Sequence, residues 1–171
     1  ATLSETLPRT PWRASGQELD GWLTPAISND ETTQHLLAEE GIKYTLDMLH
    51  DDQPTPIKVR NGHLISIPYS LEINDVPLLA MRNTPPERFA AICKAQFDQL
   101  YEEGVERGTV MCMPLHPFLI GQPHRIAALD DVLRHVVRHD KVWLATGREI
   151  AAWYTQHHLA EAQSWIAAGT P

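Results

Sequence analysis

Cysteine is scarce in this chain: Cys93 and Cys112 are the only two in 171 residues, too few for the disulfide framework of a small secreted domain. Cys93 falls in a helical pattern and Cys112 in a strand pattern, both among apolar neighbours, so two buried free thiols are expected. Long apolar runs are also missing. No stretch approaches the roughly 20 residues of a membrane span, and the opening ATLSETLPRTPWR has no signal-peptide core, which makes a cytoplasmic location the expectation. Basic residues are outnumbered, 14 Lys and Arg against 22 Asp and Glu for a formal charge of -8. That balance argues against nucleic acid or an anionic membrane as the main partner, and solubility is sufficient reason for it. A Gly-rich phosphate loop, a G-x-S-x-G elbow and paired C-x-x-C motifs are absent, and no period of 20 to 50 residues repeats, which excludes a solenoid.

What is present is an alternation of strand and helix patterns. Residues 1–20 carry two prolines and no sustained period and read as an irregular segment; one domain is expected over 21–171. Asp20 to Pro25 reads as a short strand. Ser28 and Glu31 stand at capping-box spacing before a helix that stops at Gly41. Ile42, Tyr44 and Leu46 alternate as a strand ending in an acidic turn, and Leu64 to Ile67 follow the turn dipeptide Asn61-Gly62. A helix opens at Thr84-Pro85 and carries the stripe Phe89, Ile92, Cys93, Phe97, Leu100 and Tyr101 to a stop at Gly104. Thr109 to Leu115 reads as a buried strand, Ile126 to Val137 as a helix, and Val142 to Ala145 as the next strand. Thr146 and Glu149 form a second capping box before a last helix. Short connections between these elements imply a parallel α/β sheet covered by helices.

Parallel α/β proteins place chemistry beyond the carboxyl ends of their strands. Those ends carry Asp47, His50, Asp51 and Asp52; then Tyr69, Glu72, Asn74 and Asp75; then His116, His124 and Arg125; then Thr146 and Arg148. His116 follows an apolar strand and precedes Pro117, so its ring projects from a rigid end as a general acid, general base or metal ligand, or as a satisfied structural histidine. Asp51-Asp52 orients a catalytic histidine, binds a cation or caps a turn. Arg125 holds an anion or joins a surface ion pair. His135 and His139 share a helix face but lack the Glu of H-E-x-x-H, and read as a solvated face.

The blocks GWLTPAIS, ETTQHLLAEEGIKYTLDMLHDDQP, LISIPYSLEINDVP, QFDQLYEEG, MCMPLHPFLIGQPHRI and VWLATGREIAAWY, from about Gly21 to Tyr154, resemble successive blocks of the polysaccharide-deacetylase (NodB-homology) superfamily. W-x-x-P, D-D-x-P, P-Y-x-x-E-x-N-D and L-H-P are similar to its branch of allantoinase-like and cyclic-imide-hydrolase-like amidohydrolases. Leu23, where deacetylases carry Arg, favours that branch.

The resemblance implies a distorted (β/α) barrel of about seven strands, represented here by about five of its C-terminal half. It implies hydrolysis of a carbon–nitrogen bond in an N-acetyl sugar or a linear or cyclic amide. By the same resemblance a divalent metal, zinc by expectation, is held by an early Asp and an H-x-x-x-H segment, and this chain has no such ligands before Gly21. His116 matches the proton donor to the leaving nitrogen, with Asp52 and Asp51 as its electrostatic partners. Trp22 and Pro25 match the block lining the substrate groove, and Tyr69, Glu72, Asn74 and Arg125 are the expected substrate contacts. Implied partners are a small amide or N-acetyl sugar, and either a second copy of the chain or a complementary N-terminal half. A non-enzymatic binding or assembly subunit is the alternative.

Overall fold

A computed structural model describes residues 16–169; most of the irregular opening expected over 1–20 lies outside them. In chain order the elements are β1 (Gly21–Trp22), a 3-10 turn (Pro25–Ile27), α1 (Thr33–Glu39), β2 (Tyr44–Thr45), β3 (Thr55–Ile57), β4 (Leu64–Ser66), a π-helix (Val76–Met81), α2 (Pro86–Glu103), α3 (Pro117–Ile120), α4 (Ile126–Val137), α5 (Gly147–His157) and α6 (Leu159–Ala167). They fall into two compact units: residues 16–48, 54–67 and 145–169, and residues 49–53 and 68–144.

The first unit holds a four-stranded sheet in the order β1-β2-β4-β3. β1, β2 and β4 run parallel, and β3 lies antiparallel to β4. Helix α1 makes the crossover that a parallel β1–β2 pair requires. Asp30 supplies the turn before it, its Oδ1 accepting from the backbone N–H groups of Thr32 (2.9 Å) and Thr33 (2.9 Å). Ser28, expected to cap this helix, instead donates its hydroxyl to the Pro25 carbonyl. A carboxylate closer to the first turn has taken the free N–H groups that Ser28 was expected to serve. Gly41, at φ +83°, ends the segment as its position predicts. Leu37, Ala38, Ile42 and Leu64 form the core, with Leu19, Trp22, Ile57 and Val59 against it. Gly21 and Gly147 both lie under the Tyr44 ring: a Cβ would come within 2.1 Å of it at the first and 2.6 Å at the second, so neither place tolerates a side chain. The Thr146–Glu149 capping box is formed in both directions.

The second unit is mostly helical. Phe89, Ala90, Cys93, Phe97 and Leu100 make the buried stripe of α2, and most of them join Ile73, Leu78, Leu79, Leu119, Ile120 and Val132 in the core. Both cysteines are free; Cys93 is buried and Cys112 is half-buried. Burial pushes the Cys93 thiol up to about 12 and also raises that of Cys112.

Two expected strands are not strands in the structure. Among the described residues, 109–115 and 142–145 carry no ladder pairing, so the described sheet contains three of the five expected strands, plus the unpredicted antiparallel β3. Their backbone groups make isolated bonds instead, such as Val110 N–H to the Asp52 carbonyl (2.7 Å) and Asp75 N–H to the Pro114 carbonyl (3.3 Å). An apolar run reads as a strand covered on both faces, but here the cover is incomplete: Trp143 is 56% exposed and Leu144 69%.

Candidate active site

His116 stands at the junction of the 109–115 segment and α3. Its backbone is extended (φ -113°, ψ 112°), and Pro117 fills the first helical position, where a missing N–H does no harm. The His116 carbonyl accepts from the Leu119 (2.8 Å) and Ile120 (3.1 Å) N–H groups, and both of those side chains are buried. The histidine therefore sits on an anchored turn.

Asp75 holds it from the other side. One carboxylate oxygen accepts from the His116 backbone N–H at 2.7 Å, and the other lies 2.6 Å from Nδ1. The Asp75 side chain is wholly buried, whereas the His116 ring is 38% exposed. A carboxylate only accepts, so the arrangement fixes the proton on Nδ1 and leaves Nε2 directed away from Asp75. Phe118 stands edge-on to the imidazole, ring centroids 5.5 Å apart, and is 70% exposed.

The expected partners of His116 were Asp51 and Asp52, and the structure replaces them with Asp75. Asp52 is tied through its carbonyl to Val110, at the start of the segment that His116 ends. Burial raises its carboxyl pKa, as do Asp51, Glu103 and Glu72, against the pull of Arg107. Asp51 is exposed and its carboxylate accepts from the Asp52 N–H (2.7 Å). The sequence signal for Asp75 is the last residue of P-Y-x-x-E-x-N-D, where a short acidic side chain directly precedes the apolar helix start Val76-Pro77.

Three of the expected substrate contacts come from the loop before Asp75. Asn74 donates its amide to the Tyr69 hydroxyl (3.1 Å) and accepts from the Val76 N–H (2.9 Å). Burial raises the Tyr69 pKa, as does nearby Cys112; the Asn74 bond lowers it and Asp75 raises it further. Glu72 is exposed. Arg125 donates to the Leu119 carbonyl (3.3 Å), serving the end of α3.

Trp22 and Pro25 belong to the first unit. The Trp22 indole N–H donates to the Thr24 hydroxyl (3.0 Å), which donates to Asp47 Oδ2 (2.7 Å), while the Thr24 backbone N–H donates to Asp47 Oδ1 (2.7 Å). Asp47 is 3% exposed. Pro25 opens the 3-10 turn, in which Ala26 and Ile27 both take φ near +55°, a strained conformation for a β-branched residue.

Among the described residues, one group of side chains has metal-ligand geometry: Asp98, His135 and His139, with ligand atoms within 4.8 Å of one another. It lies on α2, α4 and the turn after α4 and shares no member with the Asp75–His116 pair. It therefore does not fit the strand-end metal centre that the resemblance implies.

Comparison with known proteins gives consistent results. No family model matches the chain. A Schizosaccharomyces pombe protein named as a polysaccharide deacetylase is 36% identical over 123 residues, 65% of this chain and 38% of its own length. A Pseudomonas aeruginosa structure described as a polysaccharide deacetylase superposes at TM-score 0.78 with 33% identity, covering 85% of this chain and 49% of that one. In sequence and fold, the chain is similar to members of the polysaccharide-deacetylase superfamily. The crystal structure of PuuE allantoinase, from the same superfamily, superposes at TM-score 0.80 with 29% identity over 91% of this chain and 53% of that one. The chain thus spans about half the length of these relatives, or less.

Proposed function

We propose that this chain contributes the proton-donating side of a carbon–nitrogen hydrolase acting on an N-acetyl sugar or on a linear or cyclic amide. The Asp75–His116 pair carries the reading. An amide nitrogen leaves poorly unless it is protonated as the carbon–nitrogen bond breaks. An imidazole whose Nδ1–H is held by a buried carboxylate keeps Nε2 free for that proton, and the carboxylate stabilises the imidazolium that donates it. Asn74 and Tyr69, bonded to each other just before Asp75 in the chain, are suited to contacting the polar substituents of the substrate; Glu72 and Arg125 complete that proposed set. Phe118 offers an apolar face beside the ring.

A divalent metal, zinc by family resemblance, would activate the attacking water in such a hydrolase. No step here is assigned to Asp98, His135 or His139, because none of them belongs to the His116 site.

The chain also reads as part of a larger barrel. Residues 109–115 and 142–144 lack ladder partners, and Trp143 and Leu144 are exposed. Unpaired apolar segments of this kind recruit strands. The proposed occupant is the complementary N-terminal half, either on the same polypeptide or on a second one.

The test is acetate or ring-opening release from chito-oligosaccharides, allantoin and cyclic imides, by this chain together with the complementary half. His116→Gln is expected to lower kcat by about 10²–10⁴-fold with substrate binding retained. Turnover of the His116→Gln protein at the parent rate contradicts the reading.

A further inference from the structure

His135 and His139 are one turn apart at the end of α4, and the sequence alone gives them no third partner. The structure supplies one from α2. Asp98 Oδ1 lies 2.5 Å from His135 Nε2, and the ligand atoms of Asp98, His135 and His139 lie within 4.8 Å of one another. We propose that Asp98, His135 and His139 bind a divalent transition-metal ion of the zinc class that clamps α4 to α2.

Three features beyond proximity support this. The first is the state of His139. Its Nδ1 lies 2.9 Å from the His135 carbonyl oxygen; a carbonyl only accepts, so Nδ1 carries the proton and the Nε2 lone pair is free. Metal-binding histidines are commonly held this way, by a bond from the other ring nitrogen to a backbone carbonyl. The second is restraint. The Phe97 ring meets His135 at 5.6 Å and His139 at 4.9 Å, and Tyr101 meets His139 at 4.9 Å. Tyr101 is itself held by a bond to the Asp140 carbonyl, so both imidazoles sit within an aromatic frame on half-buried ground. The third is charge. Lys94 pairs with Asp131 at 2.6 Å and Arg138 also acts on it, so the neighbouring carboxylate is balanced and Asp98 stays the anionic group facing the two imidazoles.

Two imidazole nitrogens and one carboxylate oxygen form a donor set for zinc, cobalt, nickel or copper rather than magnesium or calcium. Ligands at about 2.0–2.2 Å from the ion require that the Asp98–His135 contact open and the His139 donor draw in, both by side-chain rotation. Metal bound at His135 Nε2 takes the place of the contact with Asp98 and leaves the ring proton on Nδ1; because protons compete with the metal for imidazole lone pairs, binding weakens at low pH. Water fills the fourth position, which makes the site exchangeable. Val132 is fully buried and Ala128, Leu129 and Val136 pack beside it against the core that α2 shares, so the α4–α2 contact that would carry the ion is already well docked. The proposal is independent of the His116 chemistry.

The experiment strips the purified protein with a chelator and titrates it with zinc by calorimetry, and with cobalt by visible absorption, at pH 7.5 and again at pH 5.5. One ion per chain with micromolar or tighter affinity is expected. The melting temperature should rise by about 5 °C at metal concentrations near 100 times Kd. Binding should weaken at least tenfold at the lower pH. Asp98→Asn and His139→Gln should each weaken binding by at least about 100-fold while the metal-free melting temperature stays near that of the parent. Asp98 is more than half exposed, so Asp98→Asn keeps the test decisive if His139→Gln fails to fold. No binding by the parent chain, or binding unchanged in Asp98→Asn, overturns the proposal.

Discussion

Asp47 in the first unit and Asp75 in the second are buried aspartates used in the same way. Each gives one oxygen to a backbone N–H and the other to a side chain distant in sequence. What they hold is different. Asp47 holds the Thr24 hydroxyl, which in turn accepts the Trp22 indole N–H; neither a hydroxyl nor an indole serves as a base the way an imidazole does. Asp75 holds an imidazole that is more than a third exposed. The same clamp therefore holds a hydroxyl in one unit and a part-exposed imidazole in the other, and the difference lies in the clamped side chain rather than in the carboxylate.

The sharpest way to break this comparison is to change Asp75. Asp75→Asn keeps the shape but presents an amide that can donate to Nδ1 and so favour the other tautomer. Its kcat is expected to fall by about 10²–10⁴-fold, measured by product release, with a melting temperature that changes far less than activity. Asp47→Ala should act oppositely. It strands the Thr24 N–H, and a buried donor without a partner costs about 1–3 kcal/mol. Thermal unfolding should register a drop of roughly 3–10 °C, with the Asp75–His116 pair unaltered. The smallest effect belongs to Asp52. Its carboxyl pKa is raised by burial and by neighbouring carboxylates, so the folded state holds its proton longer than the unfolded state does. That contribution to stability is present at low pH and is lost as pH rises past the ordinary carboxylate range. Asp52→Asn should thus raise stability at neutral pH by about 0.5 kcal/mol or less, read in a denaturant titration. An activity loss as large as that of Asp75→Asn would restore Asp52 as the histidine's partner.

Much of the fold was legible wherever local chemistry decides the outcome. The Thr146–Glu149 box, the left-handed Gly41 and the buried stripe of α2 all depend on neighbours within a few residues. Residues 109–115 and 142–145 show the limit. Their apolar runs state that they suit a covered strand, but a ladder needs a neighbour, and no local pattern reports whether the neighbour is there. The candidate site divides in the same way. His116 was legible from its place between an apolar run and Pro117. Its partner was not, because Asp75 comes from a loop far away in sequence, while the more conspicuous Asp51-Asp52 pair drew the role. The metal-type cluster was half legible: His135 and His139 share a helix face, and only the packing of α2 on α4 adds Asp98.

The central claim is the tautomer of His116, and nitrogen-15 NMR of its imidazole tests it most directly. The clamp predicts a proton on Nδ1 and a free Nε2 in the neutral ring, with that preference lost in Asp75→Asn. A neutral His116 carrying its proton on Nε2 in the parent protein would contradict the account.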